Sequence, residues 1–565
     1  MHATNTLTKK NADKWFSIPE EKWMLILALV IFLANIQIYS VQTLVQDDNH
    51  AYYFWQKGEL PSQYTWKFYP NVLLTWTASK VDFFLARSML LVGVLIPAAL
   101  LLFRILIKLE YPLPVALFSS GLFGFSPGQT DIPIFINGSY TADAMLFMLI
   151  ALWSGLNFLQ DGDKRRWGWF ISAIAFFYWA LRISELVIPS TAALIFCFLF
   201  WSHFRKKAWF LSLSFALLAL HQIYFHILHN SREVVKEAKP LTSGGFLKVG
   251  QDFVDWCLPS LNIPQIAVSQ WEIIIIITCS MCLVIALIRG FIPETEPLTI
   301  EKRGLGRRGA YIWRVIFPVI LCLSTLMLMS VAPWFRPRHA LFPAVGLYLF
   351  LSFPLYEAFK QYKYGKTFII IILIWLATGS MLQHYKNNDN AYSYINKIHE
   401  DFMRFAITVK YPPQSQIVVV NMNPQTCGFW YWSTGYLQSA LNRNDISGLI
   451  GDDLMLIDPF IPANFSEGGM NGLVLDKPLF LYRKTDNGFT QLAYFLQWKE
   501  NSMDSSFTLY QADPITGKIT SLTNGRGRVA YLEAAESLSK QGINRSDIMW
   551  GGEPSIRDRQ RLGLS

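Results

Sequence analysis

Four polar clusters interrupt a chain otherwise dominated by apolar runs, and their residue types suit proton transfer beside an anion. In VQDDNHAYYFW, Asp47 and Asp48 are adjacent carboxylates followed by His50 and aromatics, placed where the first long apolar run ends. Such a pair can supply a general base or grip a divalent cation, whereas the plain alternative is a polar stop at a helix end. In FSPGQTDIPIFINGSYTADAM, Asp131 lies between two apolar runs and Asp143 enters the second of them. A charge inside an apolar run faces a cavity or a partner, although Asp143 also suits the positive end of a helix dipole. In YWALRISELVIP, Arg182 and Glu185 stand one helical turn apart, a spacing that allows mutual neutralisation or capture of a charged ligand. Finally, APWFRPRHALFP crowds Arg336, Arg338 and His339 into a tight turn ahead of another apolar run. The planar guanidinium fork suits a phosphate, and anchoring to lipid headgroups is the simpler reading.

Other candidates are weaker. His226 and His229 are spaced like helical metal ligands beside His221, but no nearby carboxylate completes a set, so a helix reaching the interface explains them as well. Cys279 and Cys282 match a redox pair only in spacing, because they lie inside the apolar run WEIIIIITCSMCLVIALI. Cys257 and Cys427 would both lie outside the membrane and could pair, though nothing in the sequence requires it.

These clusters must be positioned by membrane-spanning helices. Of 565 residues 52% are apolar and 16% charged, a balance that favours a bilayer over an ordinary soluble domain. Runs long enough to cross the hydrocarbon core lie near 22–45, 83–107, 112–127, 138–160, 167–186, 187–202, 208–229, 271–293, 311–332, 339–359 and 366–384, about eleven spans in all. The third and sixth are short enough to be tilted, broken or re-entrant. The N-terminal segment 1–21 is polar and basic, and the run behind it, with no cleavage site of small residues, reads as an uncleaved first span.

Lysine and arginine recur in alternate connections, including Lys9, Lys10, Arg104, Lys108, Lys164, Arg165, Arg205, Lys206, Arg307, Arg308, Lys360 and Lys363. Retention of basic residues on the cytoplasmic side then puts the N-terminus inside and all four polar clusters outside. The net charge of +9 is accordingly topological and implies no nucleic-acid partner. The outer loop 46–82 is amphipathic and aromatic, as suits short helices lying in the interface. Beyond 384 the composition changes to strand-like runs such as QIVVVNM and SFTLYQA between turn residues, so 385–565 reads as an outer soluble α/β or β-rich domain. The fold class expected is therefore an α-helical polytopic membrane domain, 22–384, followed by that outer domain.

Taken in order, the acidic pair Asp47 and Asp48, the interfacial segments behind it, Asp131 after the third span and Arg338, His339 and Pro343 late in the chain resemble the integral membrane glycosyltransferases of the C superfamily (GT-C). The resemblance covers roughly residues 20–384, and among bacterial members the chain looks most like those that decorate O-antigen or other surface glycans of lipopolysaccharide, including the serotype-converting glucosyltransferases. It implies a multi-pass protein of the bacterial inner membrane with a periplasmic C-terminal domain. Its donor would be a polyprenyl-phosphate-linked sugar, such as one on undecaprenyl phosphate, and its acceptor a glycan or lipid-linked molecule. In that reading Asp47, then Asp48, is the general base of an inverting displacement. Asp131, Glu185 and His50 support the acceptor or a divalent ion, and Arg336, Arg338, His339 and Arg182 hold the donor phosphate. No nucleotide cofactor is expected, since no Walker-type or Gly-rich phosphate loop is present. The metal requirement stays open. Two rival readings are an O-antigen polymerase or ligase, which relies on outer arginine and histidine, and a lipid-linked-sugar flippase, which would be expected to show repeated halves.

Overall fold

The computed structural model describes residues 19–41, 83–126, 140–160, 166–202, 205–230, 243–257, 307–331, 337–360, 362, 364–408, 416–421, 454–457, 476, 478–485, 488–500, 505–526, 540–541 and 548–551. They fall into two compact units, one comprising Met1–Ser40 with Ser62–Tyr392 and the other Val41–Pro61 with Ser393–Ser565.

The first unit is helical. Among the described residues its elements are α1 (Glu20–Ala34), α2 (Phe83–Leu90), α3 (Ile96–Lys108), α4 (Leu113–Phe125), α5 (Tyr140–Leu159), α6 (Arg166–Ile183), α7 (Val187–Trp201), α8 (Lys206–Asn230), α9 (Ser243–Cys257), α10 (Arg307–Val331), α11 (Leu341–Phe359) and the part of α12 (Gly365–Thr408) up to Tyr392. Local signals explain several boundaries. Pro19 precedes α1, whose first turn carries Glu20 and Glu21 against the positive end of the helix dipole. Pro112 precedes α4, and Lys108 sits in the last turn of α3, where a cation is favoured. A single π-turn at Leu91–Leu95 joins α2 to α3.

Among the described residues, seven helices are long and apolar enough to cross a membrane, at Glu20–Ser40, Phe84–Lys108, Tyr140–Leu159, Lys206–Phe225, Ile312–Ser330, Leu341–Phe359 and Gly365–Ser393, while Leu113–Phe125 and Val187–Trp201 are shorter apolar helices. Each expected span within the described residues is thus helical, and the third and sixth are the short ones; the eighth, 271–293, lies outside the described residues. Large apolar side chains such as Leu25, Ile171, Leu213, Ile371 and Trp375 stay exposed on these helices, as lipid-facing surfaces require. The last span outruns its expected end at 384, because α12 continues to Thr408. Residues 385–408 are polar but contain no glycine or proline, so the apolar signal stops there while nothing stops the helix.

Two basic residues from different helices, Lys108 and Arg314, pack at one end of the bundle. At one end of the bundle, Lys108 Nζ hydrogen-bonds Asn157 Oδ1 and, at 3.3 Å, Gln160 Oε1, and it lies 4.6 Å from the centre of the Trp153 ring. Arg314, near the start of α10, pairs with Glu110 at 2.7 Å, and Tyr111 Oη donates to the Arg314 carbonyl at 2.9 Å. That carbonyl is the one left without its helical donor by Pro318 inside α10, so the tyrosine replaces a backbone bond that proline removes.

Proximity of α10 to α11 depends on Gly346. A Cβ there would lie 2.6 Å from the Pro318 carbonyl oxygen and 2.9 Å from Cys322 N, both backbone atoms that cannot swing aside. Gly346→Ala is therefore expected to destabilise the bundle by about 1–3 kcal/mol. The readout is the thermal midpoint of the purified protein, and an unchanged midpoint would contradict this close approach.

In the second unit, β1 (Gln416–Asn421), β2 (Leu454–Ile457), β3 (Leu479–Thr485), β4 (Gly488–Leu492), β5 (Tyr494–Glu500), β6 (Ser505–Ala512), β7 (Ile519–Arg526) and β8 (Ile548–Gly551) form two four-stranded sheets. Their orders are β2-β1-β3-β4 and β7-β6-β5-β8. Both are mixed: β1 runs parallel to β2 and β3, β5 runs parallel to β8, and the remaining pairs are antiparallel. The turn between β6 and β7 closes on Asp513, which accepts from Thr516 N at 2.6 Å, Ile515 N at 2.9 Å and Thr516 Oγ1 at 2.9 Å. Those bonds from Thr516 and Ile515 hold its carboxyl below the usual carboxylate range. Gly517, with φ of 69°, completes the turn in the left-handed region.

Candidate functional site

Away from the basic end, two of the four polar clusters meet. Tyr140, the first residue of α5, hydrogen-bonds His339 Nε2 through its hydroxyl at 3.0 Å, and the two ring centres lie 6.4 Å apart. His339 belongs to a 3₁₀ turn, Pro337–Ala340, that leads directly into α11. Prolines at 337 and 343 explain the arrangement: the first opens the turn with its φ already set, and the second fits an early helical position. Arg338 shares this turn by its backbone, and its side chain is outside the described residues. α9 packs against the same turn and against α10, burying Phe253 and Cys257 while leaving Leu247 exposed. The Cys257 carbonyl accepts from Tyr348 Oη at 3.3 Å, which ties the end of α9 to α11.

One turn beyond Tyr140, Asp143 is 3% exposed, and its Oδ2 has no hydrogen-bond partner among the described residues. Its place in the first turn of α5 sets it in the favourable field of the helix N-terminus. Burial of a carboxylate oxygen without a donor is nevertheless costly, so the group retains capacity for a hydrogen bond or a proton. Sequence reasoning weighed Asp143 but gave it no role, and it passed over Tyr140, whose only signal was its place at the mouth of a span.

Arg182 and Glu185 lie on either side of a helix end. α6 ends at Ile183, and Glu185 lies in the following turn, where its carbonyl accepts from Ile188 N at 3.0 Å. The facing i, i+3 geometry needs a continuous helix, and here the chain turns into α7 instead. Ion pairs among the described residues join Arg314 to Glu110, Lys360 to Glu357 and Arg404 to Glu400, and none joins Arg182 to Glu185. The Arg182 guanidinium instead lies 4.5 Å from the centre of the Phe225 ring on α8, a cation–π contact, and both residues have further partners.

Asp47, Asp48, His50, Asp131 and Arg336 lie outside the described residues, as do Cys279, Cys282, Cys427 and the loop 46–82 apart from its neighbours. The side chains of His226 and His229 are likewise outside them. Among the described residues, no group of three His, Cys, Asp or Glu is arranged to hold a metal ion.

A second polar cluster was not anticipated. His384 of α12, Asn35 at the C-terminus of α1, Asn388 of α12 and Ser126 at the end of α4 are all essentially buried. Asn35 Nδ2 donates to the Ile31 carbonyl at 2.9 Å and to the Gly124 carbonyl at 3.0 Å. His384 Nε2 lies 3.0 Å from Asn35 Oδ1 and 3.1 Å from the Asn388 amide, while its Nδ1 lies 3.1 Å from the Ser126 carbonyl. The only sequence cue was polar residues at the outer limits of apolar runs, and the boundary drawn at 384 concealed it.

No protein-family model and no curated protein sequence matches this chain. Among solved structures it is similar to ArnT from Cupriavidus metallidurans in the apo state, with a TM-score of 0.45 and 10% identity over 84% of this chain and 94% of that one. It is also similar to the archaeal oligosaccharyltransferase AglB from Archaeoglobus fulgidus in complex with an inhibitory peptide and a dolichol-phosphate, with a TM-score of 0.38 and 12% identity over 75% of this chain and 64% of that one. The apo form of an Archaeoglobus fulgidus oligosaccharyltransferase gives a TM-score of 0.38 and 13% identity over 76% of this chain and 64% of that one. The chain thus spans just under two thirds of the archaeal proteins' length. Residue roles rest on the chain's own chemistry.

Proposed function

We propose that this protein is a membrane glycosyltransferase of the GT-C type that moves a sugar from a polyprenyl-phosphate donor to a hydroxyl of a cell-surface glycan or lipid-linked acceptor on the outer, periplasmic face. The observation that supports this best is the Tyr140–His339 hydrogen bond. It joins the first residue of α5, one turn from the buried Asp143, to the turn whose backbone carries Arg338, so residues far apart in sequence from two of the four polar clusters share one end of the bundle. The positive-inside pattern makes that end the outer one. Two arginines in an outer turn run against the same pattern, and a phosphate ligand accounts for them.

In this reading the carboxylate of Asp47, with Asp48 beside it, takes the proton of the acceptor hydroxyl as its oxygen attacks the anomeric carbon. The bond between that carbon and the phosphate oxygen breaks, and the electron pair leaves with polyprenyl phosphate, so the anomeric configuration inverts. Arg336 and Arg338, with Arg182, meet the growing phosphate charge, and His339 is held at the site by Tyr140. Asp131, Glu185 and His50 orient the acceptor or support a divalent ion. A single displacement needs one base, so the paired-carboxylate spacing of a retaining hydrolase is not required.

The test uses membranes containing the full chain and a radiolabelled polyprenyl-phosphate hexose. Label should move from the lipid phosphate into a glycan acceptor with inverted linkage, and a nucleotide sugar should not replace the donor in washed membranes. Transfer only of whole glycans from a lipid pyrophosphate would replace this reading with the polymerase or ligase. Movement of the lipid-linked sugar across the bilayer with no new glycosidic bond would replace it with a flippase.

A further inference from the structure

Asp143 is a buried carboxyl to which the proposed reaction gives no role. It lies in the first turn of α5 and is the only charged residue of the span Tyr140–Leu159. At 3% exposure it is enclosed by protein, and its Oδ2 meets no hydrogen-bond donor among the described residues, the backbone N–H groups of its own first turn included. No ion pair among the described residues reaches it either. Packing does not call for an acid here, because the other buried positions of this part of α5 include Ala142, Ala144, Met145, Met148 and Leu149. A polar group kept in a span at that cost marks a place where a ligand supplies the missing hydrogen bond.

Its neighbours on α5 indicate the ligand. Residues three and four apart share one face of a helix. Three before Asp143 is Tyr140, whose hydroxyl is 3.0 Å from His339 Nε2 in the turn whose backbone carries Arg338. Four after it is Phe147, whose ring centre lies 5.6 Å from that of Phe176 and 5.9 Å from that of Trp179, both on α6. The carboxyl therefore stands between the turn proposed to meet the donor phosphate and an aromatic wall. In a polyprenyl-phosphate sugar the transferred ring is joined directly to that phosphate, so its hydroxyls fall within about one helical turn, 5.4 Å, of it. A hydroxyl is the hydrogen-bond donor that such a ring offers, and a carboxylate is the strongest acceptor a side chain can present to it.

We infer that Asp143 is a specificity-determining residue of the outer site, its carboxylate accepting a hydrogen bond from one hydroxyl of the transferred sugar. This inference rests on the glycosyltransferase reading of that end of the bundle. The contact moves no proton, so it leaves the role of base to Asp47. A site that pairs a buried acceptor with a substrate hydroxyl rejects the analogue lacking that hydroxyl, because the acceptor then stays unpaired. A carboxyl with a purely structural role would be indifferent to which hydroxyl the donor carries.

The experiment measures kcat/KM for wild type, Asp143→Leu and Asp143→Asn in membranes containing the full chain. Donors are the polyprenyl-phosphate hexose that wild type uses and its monodeoxy analogues, each lacking one hydroxyl. Wild type is expected to lose about 10- to 100-fold on one analogue, and Asp143→Leu to lose a similar factor on the parent hexose. The two losses should not add: on that analogue Asp143→Leu should match wild type, while on the other analogues it stays well below it. Asp143→Asn, which still accepts through its amide oxygen, should fall between. Equal loss by Asp143→Leu on every donor would show a structural role and overturn the inference, as would full activity on the parent hexose. Coupling to a hydroxyl missing from the acceptor would overturn the assignment to the transferred sugar. If Asp143→Leu fails to fold, Asp143→Asn decides: an altered preference between parent and one analogue supports the role, and an unaltered preference overturns it. Wild type that transfers from no polyprenyl-phosphate hexose would remove the glycosyltransferase reading, and this role with it.

Discussion

Asp47→Asn is expected to lower sugar transfer by about 10²–10⁴-fold while leaving expression and the thermal midpoint near wild type. The amide keeps the size and polarity of the carboxylate but cannot take the proton of the attacking hydroxyl at neutral pH. Asp48→Asn should cost less, because the proposed mechanism gives the proton to Asp47. The comparison is made at saturating donor, with protein amount set by immunoblot. Full activity in Asp47→Asn would favour a polymerase or ligase, where outer arginine and histidine suffice. Loss from Asp48→Asn alone would reverse the two roles.

Arg338→Ala carries the second large effect. Loss of one cation from the departing phosphate is expected to reduce kcat by about 10²–10³-fold, since the charge it meets is greatest in the transition state. Arg338→Lys keeps the charge but loses the planar fork, and an intermediate activity is expected. An alanine variant that raises only the donor KM would instead show that Arg338 binds the ground-state phosphate and the transition state equally. The 3₁₀ turn that carries its backbone is fastened to α5 by the Tyr140–His339 hydrogen bond.

The membrane architecture was legible because its physical signal is strong. Long apolar runs bounded by basic residues force helices, and each such run among the described residues is one, down to the shortness of α4 and α7. Where one helix ended was less legible. Residues after 384 lose their apolar character without any residue that stops a helix, so composition placed a boundary that backbone geometry does not observe. The second unit was readable as strands from alternation, but not the parallel pairing of β1 with β2 and β3, which joins residues distant in sequence.

At the site, sequence singled out His339 and not its partner. Arginine and histidine in an outer turn stand out against a membrane background, whereas a tyrosine at a span boundary looks like any interfacial aromatic. At Arg182 and Glu185 spacing alone did not show that α6 ends between them. The His384 cluster was invisible for a different reason. Asn35, Ser126 and His384 are unremarkable letters in their own segments, and only the meeting of three helix regions gives them a shared role.

One measurement bears most directly on the proposed outer-face site. A single cysteine replacing Gln46, beside the Asp47–Asp48 pair, is exposed in intact spheroplasts to a membrane-impermeant maleimide. Labelling without permeabilisation is predicted, equal to that reached after the membrane is opened. Labelling that appears only after permeabilisation would place the acidic pair in the cytoplasm, where neither the lipid-phosphate donor nor the residue roles proposed for it could stand.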